Sequence, residues 1–378
     1  MEKIAGLHAV LQDIKRAFVG KDEIIDLLAI ALVANENAFL FGPPGTAKSA
    51  IVRTLCEAIE GGKSFEYLLT RFTEPNEIFG PFDIRALKDG NLKTNTEGML
   101  PEASMVFLDE IFNANSAILN SLLMALNEKV FRRGRETKKI PALMFVGASN
   151  ALPEDETLGA LLDRFLIRTK CDYVEPELLE QVLVAGRKLA KHTKSSEAVV
   201  TADDIRSLQR EIDEVELSSI IKDYVDLVHN LRNTGITISD RRAVKIQRLI
   251  AASSLLSGRK VARLSDLWVL KYIWDTEEQI EILAGIVDTL LGREELSADD
   301  HPQARGKSIP DAEQLMEELR LLEERWHAPD VSFEEKNVIK DKLRYLQSRA
   351  SWIRHPEHQQ FLSENIEQLW QKILNTLN

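Results

Sequence analysis

Residues 42–49, GPPGTAKS, are the first stretch whose residue types and spacing point to a reaction. The pattern G-x-x-x-x-G-K-[ST] describes a loop whose backbone N–H groups surround phosphate oxygens. Gly42, Lys48 and Ser49 fit it. An apolar run typical of a buried strand precedes the loop, and a helical pattern follows, so phosphate would meet a helix N-terminus. The stretch therefore predicts a phosphate-binding loop; the alternative is a Gly/Pro turn between two core elements.

The residue before the lysine is Ala47, where the general pattern has glycine. Glycine is required only where φ is positive or where a side chain would collide with phosphate. Alanine is the smallest replacement, so we expect it to fit here with a backbone conformation close to helical. On that expectation, replacing Ala47 by glycine leaves nucleotide binding nearly unchanged.

A second stretch, SMVFLDE, ends an apolar strand pattern on two acids, Asp109 and Glu110. Ligands of open α/β sheets bind at the carboxyl ends of the strands. Nucleotide hydrolysis needs Mg²⁺ on the phosphate oxygens and a group that orients the attacking water. We predict that Asp109 and Ser49 hold Mg²⁺ and that Glu110 polarises the water. Two acids after a strand are often only solvated, but the loop about 60 residues upstream strengthens the prediction.

Further polar residues follow other apolar patterns. Asn150 ends LMFVGASN and would orient the water or touch the γ-phosphate, or else cap the next turn. Arg164, in LLDRFLIR, would stabilise charge on the γ-phosphate of a neighbouring subunit, or else pair with Asp163 at the surface. Arg241 and Arg242 begin a helical pattern, for which a capped helix start is the plainer explanation.

Residues 1 to about 175 alternate strand-like apolar runs with helical patterns. The predicted strands are AFLF, FEYLLT, SMVFLD and LMFVGASN. This alternation predicts an α/β fold, a parallel sheet with helices on both faces. Two stretches interrupt it and predict hairpins, one around Asp89-Gly90 and the other around Gly134 among basic residues.

Three domains are predicted along the chain. Residues 1–175 form the α/β domain, residues 176–293 form an all-helical domain, and residues 305–378 form a C-terminal three-helix extension. The polar stretch SADDHPQARGKSIPD, which contains two prolines, reads as a linker. Each of the three C-terminal helical patterns has a single apolar face, so we expect these helices to pack together or onto the main body.

Composition narrows the class of protein. A hydrophobic content of 44% with 29% charged residues is ordinary for a folded soluble protein. The formal net charge of -12 argues against a dedicated nucleic-acid binder. The two cysteines are far apart and indicate a reducing compartment. The start of the chain lacks signal-peptide features, and its longest apolar stretch is too short to span a bilayer. We expect a cytoplasmic protein without membrane insertion.

In the order of these motifs the chain resembles the AAA+ ATPases, and within them the MoxR family. It looks most like the RavA (regulatory ATPase variant) subgroup. The family's typical loop is G-x-P-G-x-A-K-[ST], which GPPGTAKS matches with its alanine. The stretches FEYLLTRFTEPNEIFGPFDIRALKDG and GMLPEASMVFLDEIFNANSAILNSLLMALNE also resemble members of this group. The resemblance covers roughly residues 5 to 290.

This resemblance implies an AAA+ P-loop sheet core, a helical lid, and ATP and Mg²⁺ as cofactors. It makes Asp109 and Glu110 the Walker B acids, Asn150 sensor 1 and Arg164 the arginine finger. The residues implied to contact ATP are Val19, Gly20, Gly42, Pro43, Pro44, Gly45, Thr46, Ala47, Lys48, Ser49 and Asp109.

The same resemblance offers two candidates for the sensor 2 arginine. Arg241 aligns with the arginine of a usual S-P-R motif, in which Asp240 here replaces the proline, so the choice between Arg241 and Arg242 stays open. Val19 and Gly20 would lie near the adenine base, and Lys21 stands where glutamine is common.

The function implied is that of an ATP-hydrolysing remodelling chaperone acting as a ring, a hexamer in the simplest case. Its clients would be protein complexes, during maturation or metal insertion, and its partner would carry a von Willebrand factor A domain. A non-hydrolysing, nucleotide-gated scaffold is one alternative, against which Glu110 argues. A nucleic-acid translocase is another, against which the acidic composition argues.

Overall fold

The computed structural model shows two compact units, Met1–Ala304 and Arg305–Asn378. The described residues are 2–83, 93–134, 136–153, 155–189, 200–294, 297, 299–305, 312–326, 328, 336, 339–340, 343, 346–347, 350 and 356–375. Each unit has a hydrophobic core of its own and is therefore described by itself.

A parallel sheet forms the centre of the first unit. In chain order the described strands are β1 Ala38–Phe41, β2 Ile59–Glu60, β3 Ser64–Leu68, β4 Met105–Asp109, β5 Val130–Arg133, β6 Glu136–Lys139, β7 Met144–Ser149, β8 Ile167–Lys170 and β9 Val200–Thr201. Five of them make one sheet in the order β3-β4-β7-β1-β8, and every neighbouring pair is parallel. Strands β2 and β9 pair separately.

Helices cover this sheet on both faces. Every residue of β1 and β7 is buried, and successive strand residues point to opposite faces. The described α-helices are α1 Glu2–Ala17, α2 Asp22–Ala34, α3 Lys48–Glu57, α4 Pro75–Phe79, α5 Ser116–Glu128, α6 Glu156–Leu162, α7 Leu179–Leu189, α8 Ala202–Glu211, α9 Ile221–Asn233, α10 Asp240–Leu256, α11 Glu278–Leu291, α12 Ala312–Trp326 and α13 Pro356–Asn375. The predicted α/β fold is confirmed.

The four predicted strands are present as β1, β3, β4 and β7, each within two residues of its predicted ends. Strand β8 was not predicted, because LLDRFLIR was interpreted as helical throughout. It pairs with β1 in the register Ala38↔Ile167 to Phe41↔Lys170. Its side chains Arg168 and Thr169 are buried although polar, so the run does not read as an apolar strand.

The second predicted hairpin is confirmed, since β5 and β6 are antiparallel and Gly134 has φ 60°. The turn at residues 89–90 lies outside the described residues. Its arms begin as an antiparallel bridge between Phe82 and Thr94. Arg133 connects the two regions: its guanidinium lies 3.8 Å from the centre of the Phe82 ring and donates to the carbonyl of Gly80 at 2.9 Å.

After β8 the described residues up to Leu291 are mostly helical, as the sequence indicates. The boundary near residue 175 remains a prediction. The first half of the stretch interpreted as a linker makes contacts within the first unit. Asp300 accepts a hydrogen bond from Ser265 Oγ at 2.7 Å, and the His301 ring stacks on Trp268 with centroids 4.7 Å apart. These residues therefore belong to the first unit. Composition alone does not indicate this, because it does not show that these polar side chains have buried partners.

The second unit is a small helical assembly with one core. Residues from all three predicted apolar faces are buried in it: Leu315, Leu319, Trp326, Ile339, Leu343, Leu346, Ala350, Leu362, Ile366, Leu369 and Ile373. The prediction that the three faces pack together is therefore confirmed. None of the described helices of the chain combines the length and apolarity needed to cross a bilayer.

Candidate ATP-binding and hydrolysis site

The GPPGTAKS loop connects the end of β1 to the start of α3. The Lys48 ammonium donates to the carbonyl oxygens of Gly42 and Pro43, both at 2.8 Å, so it lies inside the loop. Thr46 Oγ1 donates to Pro43 O at 3.0 Å and braces the turn. A Cβ atom on Gly42 would lie 2.4 Å from the carbonyl oxygen of Cys171. Glycine is required there because the chain that leaves β8 passes so close.

The expectation for Ala47 was wrong. Its backbone is left-handed, with φ 66° and ψ 17°, rather than near-helical. It precedes α3, and its carbonyl accepts the first helical hydrogen bond, from Ile51 N at 3.0 Å. An L-residue in this region costs roughly 1–2 kcal/mol, so the geometry of the loop imposes a conformation that glycine would adopt more easily.

The two acids predicted to form Walker B, Asp109 and Glu110, lie two strands away from the loop on the same sheet. Asp109 ends β4, and its Oδ1 accepts from the backbone N–H of Glu110 at 3.0 Å. Glu110 has φ 49°, which turns its side chain out of the strand direction. Its Oε2 accepts a hydrogen bond from Ser149 Oγ at 3.4 Å. Ser149 was not singled out in the sequence, where it is one small polar residue before Asn150.

Asn150 follows β7 directly and is exposed. Strand β7 lies between β4 and β1 in the sheet. The ends of these three adjacent parallel strands therefore bring the phosphate loop, Asn150 and the acid pair to one edge, called the carboxyl edge below. This arrangement is the one in which open α/β sheets bind their ligands.

Ser49 and Asp109 fit a magnesium ion. Helix α3, which carries Ser49 in its first turn, packs against β4, which ends at Asp109. Mg²⁺ usually binds one or two protein oxygens and completes its shell with phosphates and water. Among the described residues no group of three or more His, Cys, Asp and Glu side chains forms an all-protein metal site. A hydroxyl and a carboxylate next to a phosphate loop are therefore a matching donor set.

The segment predicted to meet the adenine lies between α1 and α2. Gly20 has φ 74°, and a Cβ there would lie 3.3 Å from the side chains of Val174 and Leu178. Val19 lines an open groove together with residues of α7. The Lys21 ammonium donates to the Asp172 carbonyl, and burial lowers the pKa of this lysine while Cys171 and Asp172 oppose the shift. Lys21 thus joins this segment to the chain leaving β8.

Arg164 lies at the other edge of the sheet, called the amino edge, where the strands begin. Asn37, the residue before β1, donates from Nδ2 to the carbonyls of Arg164 at 3.0 Å and Leu126 at 3.2 Å. The predicted surface pair of Arg164 with Asp163 is absent among the described contacts, since Asp163 lies 3.7 Å from Arg168 instead. The Nε atom of Arg164 is buried without a hydrogen-bond partner in the described structure.

The two candidate sensor 2 arginines differ in their contacts, and Arg241 reaches the amino edge, where Asn127 follows Leu126, whose carbonyl is bonded to Asn37. Arg241 is exposed, and its guanidinium is 3.4 Å from Asn127 Oδ1, near the end of α5. Arg242 donates to both carboxylate oxygens of Asp275, at 2.9 and 3.1 Å. Ser239 caps α10 by accepting from Arg242 N at 3.2 Å, so the helix-start explanation also holds for this segment.

The fold and the arrangement of loop, acids and polar strand ends are those of a AAA+ ATPase. A family profile described as the MoxR domain in the MoxR-vWA-beta-propeller ternary systems matches residues 5–210. A second profile, for a AAA lid domain, matches residues 202–287. The chain belongs to the MoxR family of AAA+ ATPases.

The chain is also similar to individual proteins. The chain is 36% identical over 283 residues to the uncharacterized protein MJ0079 of Methanocaldococcus jannaschii, covering 74% of this chain and 73% of that protein. It is 25% identical over 207 residues to the chaperone MoxR1 of Mycobacterium tuberculosis, covering 54% and 53% of the two chains. A crystal structure of a candidate ATPase from Cytophaga hutchinsonii superposes with a TM-score of 0.62 at 20% identity, covering 78% of this chain and 97% of the other. That likeness supports the fold.

Proposed function

We propose that this protein hydrolyses ATP with Mg²⁺ in a site completed by a neighbouring copy of the chain. One observation carries the proposal. The loop with Lys48, the acid pair and Asn150 share the carboxyl edge of the sheet, whereas Arg164 and Arg241 lie at the amino edge. A stabilising arginine is therefore available to an ATP molecule held by the next subunit, and a closed ring repeats that contact.

The length of β1 supports an action of Arg164 in trans. The carbonyl of Arg164 is bonded to Asn37 at the start of β1, and the phosphate loop begins after Phe41. Four strand residues at about 3.3 Å each place these points roughly 13 Å apart. The body of the sheet fills that interval, so the side chain of Arg164 does not reach the loop of its own subunit.

Arg241 is proposed as the sensor 2 residue. The guanidinium of Arg242 is held by Asp275 and by the backbone carbonyls of Thr237 and Ile273. Arg241 lies next to it and is exposed, with one long contact to Asn127. This exposed guanidinium is the one that can contact a ligand outside its own chain, and it too lies at the amino edge.

The residues at the carboxyl edge have separate roles in the proposed reaction. Mg²⁺, held by Ser49 and Asp109, would neutralise charge on the phosphate oxygens. Lys48 binds the outer phosphates, and the N–H groups of residues 45–49 surround them. Glu110 accepts the proton of the attacking water at its carboxylate, and Asn150 orients that water. Arg164 of the next subunit stabilises charge on the transferred phosphoryl group.

The biological role is proposed from the family. Remodelling of protein complexes, their maturation or metal insertion, fits a MoxR-type chaperone, and a hexameric ring fits arginines that act in trans. The matching profile names a vWA component, which supports a partner with a von Willebrand factor A domain. Membership in the RavA subgroup stays a prediction. A cytoplasmic location is proposed because Cys56 and Cys171 are both free and buried.

Steady-state ATP turnover and equilibrium ATP binding together test the proposal. Glu110→Gln should bind ATP with the affinity of the wild type and scarcely hydrolyse it, because only the proton acceptor is removed. Lys48→Ala should lose binding, because the charge that meets the phosphates is removed. A wild-type protein that binds ATP and does not hydrolyse it in the presence of Mg²⁺ would instead be the nucleotide-gated scaffold.

The same preparation distinguishes a nucleic-acid translocase. Two basic residues of the β5–β6 hairpin have intramolecular partners: Arg133 bonds Gly80 and Asn76, and Lys138 bonds Thr96 and Glu102. We therefore expect that the protein does not bind DNA in the way typical of nucleic-acid translocases, with an affinity that falls steeply as the salt concentration rises. ATP turnover that single-stranded DNA stimulates many-fold would contradict the protein-remodelling role.

A further inference from the structure

Arg168 is a completely buried arginine in the middle of β8. Its guanidinium donates to the carbonyl oxygens of Phe165 and Leu162, both at 3.1 Å, and also to the carbonyl of Trp274 and the carboxylate of Asp275. Burial lowers its pKa to about 10, with nearby Arg242 acting in the same direction and Asp275 opposing it. The side chain therefore stays charged and binds four groups at once.

Asp275 joins this arginine to the helical region. Its carboxylate also accepts from Arg242 at 2.9 and 3.1 Å, and its backbone N–H donates to Gln279 Oε1 at 2.7 Å. Arg242 is itself nearly buried and donates to the Ile273 carbonyl. One carboxylate thus bridges two guanidinium groups, one on the central sheet and one in the first turn of α10.

The groups held by this cluster flank the two arginines of the proposed site. The carbonyls of Leu162 and Phe165 lie on either side of Arg164 in the chain. Arg242 is the residue after Arg241. The cluster therefore fixes the backbone of both segments from within, while it leaves the Arg164 and Arg241 side chains out of its own hydrogen bonds.

We propose that Arg168, Asp275 and Arg242 form a positioning network that sets Arg164 and Arg241 relative to each other for one ATP molecule of the neighbouring subunit. The inference rests on the proposed function. Two arginines that approach the same phosphate from separate elements must keep a fixed spacing, and a misplacement of about 1 Å can cost 10²-fold in rate. A buried ion cluster is weak evidence for stability, and fixing one conformation is a role it can serve instead.

The test uses full-length Asp275→Asn, which keeps the shape of the side chain and removes its charge. We expect kcat for ATP to fall at least about tenfold and KM to stay within about twofold. Asp288→Asn is the matched control, because it breaks another ion pair of the helical region, with Lys271, whose two members are not Arg168, Asp275 or Arg242. It should leave kcat unchanged. Arg242→Gln is the second variant, since it leaves the buried Arg168–Asp275 pair intact, and it should behave like Asp275→Asn.

Mixed rings separate positioning from a general structural effect. Asp275→Asn subunits mixed with Glu110→Gln subunits should regain activity, because intact arginines then face intact water sites. Mixed with Arg164→Ala subunits they should regain none, because both variants lack a placed finger. Two results would overturn this inference and leave the proposed function standing. One is an unchanged kcat in Asp275→Asn and Arg242→Gln; the other is rescue of Asp275→Asn by Arg164→Ala instead of by Glu110→Gln. Failure of Arg164→Ala and Glu110→Gln to rescue each other overturns the proposed function and this inference with it.

Discussion

Lys48 and Arg164 lie at opposite edges of one parallel sheet, Lys48 after the end of β1 and Arg164 before the start of β8. Because β1 and β8 are neighbours and run in the same direction, the strand that delivers the phosphate loop also separates it from the arginine. A single copy of the chain therefore presents half of the proposed hydrolytic site at each edge. The quaternary structure becomes part of the proposed chemistry.

Replacing Ala47 by glycine should stabilise the fold. Glycine adopts the observed φ of 66° without strain, which relieves roughly 1–2 kcal/mol. The extra freedom of glycine in the unfolded chain offsets about 0.5–1 kcal/mol of that. We expect the free energy of unfolding, measured by urea denaturation, to rise by about 0.5 kcal/mol, with ATP affinity nearly unchanged.

Ala58→Gly is the matched control at the other end of α3, where the backbone has φ -77°. No strain is relieved there, so unfolding should become easier by about 0.5–1 kcal/mol. A loss of stability in both variants would show that the left-handed conformation of Ala47 costs nothing. A large gain in ATP affinity for Ala47→Gly would show that the alanine methyl crowds the phosphate.

The strands and the residues at the carboxyl edge were accessible from the sequence because each carries a local signal. An apolar run that ends at a glycine loop or an acid pair is complete within ten residues, as in β1 and β4. Strand β8 has no such signal, since two of its four residues, Arg168 and Thr169, are polar although buried, and Arg168 is held there by hydrogen bonds rather than apolar contact. Without β8 the position of Arg164 at the amino edge cannot be inferred.

Other features depend on contacts between distant parts of the chain. Arg168 and Asp275 are 107 residues apart, and nothing in the sequence near either one indicates the other. The conformation of Ala47 is likewise not indicated by its residue type, because alanine by itself disfavours positive φ and the geometry of the folded loop imposes it. The docking of His301 on Trp268 belongs to the same class, since a polar stretch with two prolines predicts a linker equally well.

Stability should fall as the pH decreases through the range in which His301 titrates in the unfolded chain. Burial lowers the pKa of His301 from 6.5 to about 4; Lys15 and His8 act in the same direction, and Asp26 and Asp266 oppose the shift. Between these values the unfolded chain binds a proton that the folded chain does not. Stability is therefore complete above about pH 6.5 and decreases toward pH 4, by roughly 3 kcal/mol.

His301→Phe keeps a ring against Trp268 and removes the titrating group. Between pH 4.5 and 6.5, a window within about two units of the ordinary histidine pKa, the free energy of unfolding of this variant should depend less steeply on pH than that of the wild type. His229→Gln, at an exposed position of α9, should leave the wild-type slope intact. Identical slopes for His301→Phe and the wild type would contradict a neutral, buried His301.

Truncation should show where the first unit ends. A fragment of residues 1–305 keeps Asp300 and His301, and we expect it to unfold cooperatively and bind ATP. A fragment of residues 1–294 loses the Asp300 bond to Ser265 and the stack of His301 on Trp268. Thermal and urea unfolding should show it to be less stable by roughly 2–4 kcal/mol. Equal stability of the two fragments would mean that the docked segment contributes nothing.

The most direct test of the shared site is ATP turnover by mixed assemblies of two inactive variants. Arg164→Ala subunits keep the water site, and Glu110→Gln subunits keep the arginine. Each variant alone should bind ATP normally, and Arg164→Ala should hydrolyse it about 10³-fold more slowly than the wild type. Mixing them should restore measurable turnover, because some interfaces then join an intact Glu110 to an intact Arg164. If mixed assemblies demonstrably form and turnover stays at the level of the separate variants, Arg164 does not act across the interface.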